Sequence, residues 1–171
     1  MLNVGSLMIK IPISRDEEWL CLSTAYKRIG RLDFSPDHDS RKDRGLTLFE
    51  YVLQVAQSIG AEIAVAKYFA IPDFTPTVDT FKREADVGAQ LEVKWTLWQD
   101  GHLILNGSDR RQDVAILVVN KAPNYVLAGW IPIAMAMREK YLRGDGSYWI
   151  PQTDLQPIEN LRSSNYGDTA L

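Results

Sequence analysis

Cysteine, histidine and long hydrophobic runs are all scarce in this chain. It has one cysteine, Cys21, and two histidines among 171 residues. A single cysteine excludes an intramolecular disulfide and any zinc site built from several cysteines, and it suits a reducing compartment. The longest apolar run, at 125–137, is interrupted by Gly129 and Pro132 and is shorter than the roughly 20 residues of a membrane span. We therefore expect a soluble protein of the cytoplasm, or of the host cytoplasm if the chain is viral.

An excess of positive charge is also lacking, because the formal net charge is −3 and the sequence pI is about 5.4. Proteins that bind nucleic acid usually carry a basic footprint, so the overall balance does not favour that function. An enzyme needs only a local positive patch, however. The basic clusters that could supply one, or that could simply be solvated surface, are Lys27-Arg28 with Arg31, Arg41-Lys42 with Arg44, Arg110-Arg111, and Arg138, Lys140 and Arg143.

The apolar content is sufficient for one domain with a real core, at 46% of residues. Capping boxes that begin at Ser14 and at Thr47 predict helices at 15–29 and 48–69. The apolar residues expected to face inward from the first helix are Trp19, Leu22, Tyr26 and Ile29; on the second they run from Phe49 through Leu53 to Ala66. Gly60, inside the second helix, predicts a kink or a close approach by another part of the backbone.

From about residue 77 the apolar pattern changes to the period of two that is typical of strands. We predict strands at 84–87, 90–98, 102–106, 114–119, 125–131 and 148–150. Asp100-Gly101 predicts a tight hairpin between the second and third of these. The continuous apolar segment at 114–119 predicts a strand buried on both faces, and a further helix is expected at 133–142.

This order of elements predicts an α/β fold in which a single mixed β-sheet is flanked by helices. The chain is read as one domain, 1–171, with an N-terminal helix (1–30), a flexible loop (31–46), a core (47–161) and a loose tail (162–171). No glycine-rich phosphate loop follows a strand, so a doubly wound dinucleotide-binding fold is not indicated.

Four side chains form a candidate site for phosphodiester chemistry. Glu92 and Lys94 are two residues apart on a predicted strand and therefore project from the same face. Asp86 is joined to that strand through the small residues that follow Val87, and Glu62 lies on the long helix. Carboxylates bind hard cations such as Mg²⁺, and a lysine stabilises developing negative charge. The spacing alone arises by chance in a chain with this many acids, and ordinary solvated roles for these residues stay open.

The arrangement resembles the PD-(D/E)XK nuclease superfamily, which has the restriction-endonuclease-like fold. More narrowly, it is similar to small phage and environmental proteins of that superfamily over residues 47–161. The segments that carry the resemblance are 60–66, Asp86-Val87-Gly88, Glu92-Val93-Lys94, Gly129-Trp130-Ile131 and Pro151-Gln152. The resemblance implies that Asp86, Glu92 and Glu62 bind Mg²⁺ or Mn²⁺, that Lys94 is the catalytic lysine, and that DNA is the substrate.

We therefore expect a phage-type, metal-dependent endonuclease that acts in DNA processing. A symmetric homodimer is expected if both strands of a duplex are cut. The main alternative is a catalytically inactive module of the same fold that binds nucleic acid or protein, which the acidic pI favours. A structural protein of a virion is a second alternative, for which no feature of the sequence speaks.

Overall fold

The computed structural model describes residues 8–30, 45–78 and 84–171. The predicted loop at 31–46 lies outside these ranges except for its last two residues. The elements, in chain order, are β1 (Ile9–Pro12), α1 (Arg15–Gly30), α2 (Leu48–Tyr68), β2 (Leu91–Thr96), β3 (Leu103–Leu105), β4 (Val114–Lys121), β5 (Asn124–Pro132), α3 (Ile133–Ala136), β6 (Tyr148–Ile150) and α4 (Gly167–Ala170), with 3₁₀ turns at Glu139–Tyr141, Gln152–Asp154 and Ile158–Asn160.

The predicted α/β class with a mixed sheet is confirmed, and a second, smaller sheet accompanies the first. Four strands form the main sheet in the order β1-β5-β4-β2, and β3 pairs with β6 in a sheet of two strands. Within the main sheet β2 runs parallel to β4, whereas the β4–β5 and β5–β1 pairs are antiparallel. This order places β2 at one edge of the main sheet and β1 at the other, and β1 has no counterpart among the predicted strands.

The main sheet has an apolar cluster on each face, as the double burial predicted for 114–119 requires. Ile116 and Val118 of β4 pack with α1 and α2 on one face. Ala115, Leu117 and Val119 pack on the other face with β3, β6 and α3. The first six residues of β4 are all buried. Because burial on both faces fixes the register, the side-chain directions on the neighbouring β2 are fixed as well.

Both predicted capping boxes are present at the starts of the two long helices. The Ser14 and Thr47 hydroxyls accept the backbone N–H of the glutamate three residues later, and each glutamate accepts the N–H of its cap. No helix among the described residues has the length and hydrophobicity to cross a bilayer.

The face of α1 that packs inward differs from the predicted one except at Ile29, which is buried as expected. Trp19 and Tyr26 are 68% and 76% exposed, whereas Cys21, Ala25 and Ile29 are buried. On α2 the predicted stripe is buried only from Ala56 onward, and Phe49 and Leu53 are exposed. Small residues allow the two helix backbones to approach closely, so packing at this interface favoured Cys21 and Ala25 over the larger aromatic side chains.

The hairpin predicted at Asp100-Gly101 is wrong. β2 pairs with β4 rather than with β3. In this pairing Leu91 lies opposite Val114 and Thr96 lies opposite Val119. β3 leaves the main sheet, and its Leu103 and Leu105 are fully buried in the second cluster. Burying these two leucines beneath the main sheet outweighs the local turn preference of Asp-Gly, which determines only short-range geometry.

The chain after β5 contains a shorter helix than predicted. Its C-terminal segment is also more ordered than predicted. The helix expected at 133–142 ends at Ala136, and Tyr141 returns to the core from a 3₁₀ turn with its hydroxyl donating to Asp154 at 2.6 Å. The tail expected to be loose includes α4, and its Ala170 is fully buried. Apolar side chains that find a place in the core order the segments that carry them.

Gly60 marks a close approach, but by a side chain rather than by another backbone. A Cβ at this position would lie 2.6 Å from Cζ of Tyr125. Tyr125 is buried, and its hydroxyl donates to Oε1 of Gln57 at 2.7 Å, so the ring has little freedom to move. The glycine is therefore required by packing and not by backbone conformation.

We predict that Gly60→Ala lowers the free energy of unfolding by about 1–2 kcal/mol, because steric overlap with Tyr125 outweighs the better helix propensity of alanine. Thermal or urea unfolding measures the change. Gly30→Ala is the matched control, since a Cβ there meets no atom within 4 Å. A Gly60→Ala protein as stable as the wild type would show that Tyr125 does not pack as described.

Candidate active site

Glu92 and Lys94 project from the face of β2 that is turned away from α1 and α2. Their cross-strand partners are Ala115 and Leu117, which belong to the cluster on that face. Lys94 Nζ lies 3.0 Å from Oε1 of Glu92, and the side chains are only 20% and 22% exposed. The predicted placement of these two residues on one face is confirmed.

Asp86 lies beside the same strand, although the strand predicted at 84–87 is absent. Residues 84–90 form a tight turn in which Val87 and Leu91 exchange backbone hydrogen bonds of 3.1 Å. Gly88 has φ of +57°, a conformation that favours glycine. The turn directs Asp86 back along the outer edge of β2, where its Oδ2 accepts the backbone N–H of Val93 at 2.9 Å.

The C-terminal segment supports this turn. The carbonyl oxygen of Ala170 accepts the backbone N–H groups of Ala89 and Gln90, each at 3.1 Å. A Cβ on Gly88 would lie 2.9 Å from that same oxygen. The segment expected to be a loose tail therefore holds the loop that carries Asp86.

Asp109 joins Asp86, Glu92 and Lys94 in the group of charged side chains that is called the cluster below. The sequence did not indicate that Asp109 belongs to it. Its Oδ1 lies 2.9 Å from Lys94 Nζ, and its side chain is 12% exposed. Asp109 lies in the loop after β3, which returns beneath the main sheet to the start of β4. The signal available was the turn sequence that begins at Asn106, which predicts a loop but not the contact with Lys94.

Two carboxylates contact the one ammonium group of the cluster, because Lys94 Nζ lies within hydrogen-bond distance of both Glu92 and Asp109. Burial, together with the charge of Asp86, raises the pKa of Glu92. Burial alone would lower the pKa of Lys94, but the charges of Glu92 and Asp109 outweigh it and raise that pKa. Lys94 is therefore a protonated cation that is paired with two carboxylates.

The donor chemistry of the cluster fits a hard divalent cation. All of its acidic ligands are oxygen atoms, and Mg²⁺ is often held by only one or two carboxylates together with water and a substrate phosphate. The closeness of two carboxylates supports this fit, because the charge of Asp86 acts on Glu92 and raises its pKa. No set of three or more Asp, Glu, His or Cys side chains placed to hold a metal occurs within 8–30, 45–78 and 84–171. Asp86 and Glu92 are therefore the acids considered as ligands here.

Glu62 is not brought to this cluster. It lies on α2, which packs on the opposite face of the main sheet, and it is 5% exposed. Its two carboxylate oxygens each accept a guanidinium N–H of Arg28 at 3.1 Å, which joins α2 to α1. The geometry makes Glu62 a partner of Arg28 at the helix interface, where breaking a buried pair costs about 3–5 kcal/mol.

Two of the basic clusters considered for DNA binding contribute a cation to internal pairs. Arg28 is buried against Glu62 and also donates to the carbonyl oxygen of Thr77 at 2.6 Å. Arg110 pairs with the buried carboxylate of Asp113 at 2.7 Å. The cations that remain exposed in the described part of the chain include Arg111, Arg138 and Arg143.

Comparison of the chain with protein-family models, with curated proteins and with solved structures gave no match. The resemblance to the PD-(D/E)XK nucleases therefore stays a prediction that rests on the residues quoted for it.

We predict that Glu92→Gln stabilises the protein in EDTA at neutral pH. Because burial and Asp86 raise the Glu92 pKa in the folded state, the ionised carboxylate costs folding free energy above that pKa. The cost disappears below the ordinary pKa of glutamate, where the side chain is protonated in both states. Thermal unfolding should therefore show a higher midpoint for Glu92→Gln at neutral pH and equal midpoints near about pH 3.

The matched control is Glu139→Gln, which changes an exposed glutamate and should leave the unfolding midpoint unaltered. A Glu92→Gln protein less stable than the wild type at neutral pH would contradict the raised pKa of Glu92 in the folded protein.

Proposed function

We propose that the chain is a metal-dependent nuclease that hydrolyses DNA phosphodiester bonds and has a core of the restriction-endonuclease type. The observation that carries the proposal is the convergence of Asp86, Glu92 and Lys94 at one edge strand. The resemblance requires two acids and a lysine in this order along the chain. Here a tight turn and the start of a strand join them.

In the proposed site, Asp86 and Glu92 hold Mg²⁺ or Mn²⁺, and Glu62 is left out of the ligand set because it pairs with Arg28. When bound, such an ion would supply positive charge to the site and would ease the ionisation of water. Lys94 remains protonated because Glu92 and Asp109 raise its pKa. It therefore acts as a fixed cation that offsets the negative charge that develops on the phosphate, and not as a general base.

The position of β2 in the main sheet also supports the proposal. β2 is an edge strand, and the side chain of Asp86 lies along the side of β2 that pairs with no other strand of the main sheet among the described residues. The lysine and Glu92 side chains keep about a fifth of their surface exposed. Partial burial strengthens the electrostatic effect of each charge, while the exposed part of each side chain keeps it in contact with solvent.

The alternative is a module of the same fold that binds nucleic acid or protein without cutting. One observation favours it: Lys94 is held by two carboxylates, and the described residues lack a set of three acids placed for a metal. A cluster in which the lysine neutralises the acids would be stable without a cation and would have no need of one. The two functions differ in whether DNA is cleaved.

We predict that linear, circular or branched DNA is cut in the presence of Mg²⁺ or Mn²⁺ and not in EDTA. Lys94→Ala should lower the rate roughly 100- to 1,000-fold, because a charge that stabilises the transition state is removed. Gel analysis of the products measures the rate and distinguishes cutting within the chain from cutting at an end. Lys10→Ala is the matched control, since Lys10 is an exposed lysine on β1 at the opposite edge of the same sheet.

Binding of these DNAs without cleavage under every metal condition would contradict the nuclease and favour the binding module. Absence of both binding and cleavage would mean that DNA is the wrong partner. A homodimer remains part of the proposal only if both strands of a duplex are cut at paired positions, because a symmetric pair of sites explains that outcome.

A further inference from the structure

The carboxylate of Asp109 is held at both of its oxygens. Oδ1 accepts a hydrogen bond from Lys94 Nζ at 2.9 Å, and Oδ2 accepts the backbone N–H of Asn106 at 2.7 Å. The backbone N–H of Asp109 donates in turn to the carbonyl oxygen of Asn106 at 3.1 Å, which closes the turn. The loop thus presents one carboxylate oxygen to Lys94 in a fixed direction.

The ammonium group of Lys94 contacts two carboxylates, and these two carboxylates differ in what else they bind. Glu92 is the acid proposed to hold the cation, and a carboxylate that binds a cation donates less electron density to a lysine. Asp109 already uses its second oxygen to accept a hydrogen bond within its own turn. It is therefore the partner that keeps Lys94 in place when Glu92 is engaged.

We infer that Asp109 is the positioning residue of Lys94, and that it fixes the ammonium group for phosphate contact without binding metal or DNA itself. This inference rests on the proposed nuclease function. A lysine side chain has four rotatable bonds and loses much conformational freedom when it is held, so a fixed partner lowers the cost of placing its charge. The same logic applies to residues that orient a catalytic group, whose loss typically reduces activity roughly 10- to 100-fold.

The first test needs neither metal nor DNA. In the folded wild type, Lys94 should react slowly with an amine-modifying reagent, because its ammonium group is buried and bonded on two sides. In Asp109→Asn, modification of Lys94, followed by mass spectrometry, should be several-fold faster. Lys67, which pairs with Glu17 and is 40% exposed, serves as the internal reference and should be unchanged.

Two further variants separate positioning from damage to the loop. Asp109→Ser keeps an oxygen that can accept the N–H of Asn106 but cannot reach Lys94, so it should also free Lys94 while preserving the turn. Asp145→Asn changes an aspartate that accepts the backbone N–H of Ser147 at 2.9 Å in another turn and makes no contact with Lys94. It should leave the reactivity of Lys94 unaltered.

The second test is kinetic. Asp109→Asn and Asp109→Ser should lower kcat for DNA cleavage roughly 10- to 100-fold while KM for DNA stays unchanged and the affinity for Mn²⁺, measured by calorimetry, falls far less than it does in Glu92→Gln. A loss of Mn²⁺ affinity as large as that of Glu92→Gln would overturn the inference by making Asp109 a ligand. Unchanged Lys94 reactivity, or faster modification with full activity, would also overturn it while leaving the nuclease intact. A wild type that never cleaves DNA overturns the proposed function itself, and this role of Asp109 with it.

Discussion

The pairing of β2 with β4 is the constraint on which the candidate site depends. β4 is buried on both faces, so its register is fixed, and its parallel contact with β2 fixes which side chains of β2 face the helices. Val93 and Trp95 pack toward the helix side of the sheet, and Glu92 and Lys94 must then point to the other side. A shift of one residue would bury the charges against α2 and expose the apolar side chains.

The candidate site lowers the free energy of unfolding, and the residues responsible lie on the edge strand β2. Glu92 and Asp109 hold Lys94, and burial together with the charge of Asp86 raises the Glu92 pKa. Arg28 and Glu62, by contrast, form a buried pair in which both carboxylate oxygens accept hydrogen bonds. A carboxyl group whose pKa is raised by burial and by a neighbouring carboxylate is typical of a functional site.

Local patterns predicted local structure well, and they failed where long-range packing decided the outcome. Capping at Ser14 and Thr47 and the alternation at Glu92 and Lys94 depend on neighbours in the chain, and both were confirmed. The hairpin at Asp100-Gly101 failed because Leu103 and Leu105 gain more from burial beneath the main sheet. The contact of Asp109 with Lys94 was missed because it spans 15 residues through a loop. For the same reason no pattern along the chain showed that Glu62 pairs with Arg28, 34 residues earlier.

The most direct test of the central claim is a crystal soaked in Mn²⁺ and measured at a wavelength where manganese scatters anomalously. The account predicts one strong anomalous peak within coordination distance of the carboxylates of Asp86 and Glu92, roughly 2.0–2.3 Å, that vanishes in crystals of Glu92→Gln. Anomalous density elsewhere on the protein, or none at these two carboxylates at saturating Mn²⁺, would contradict it.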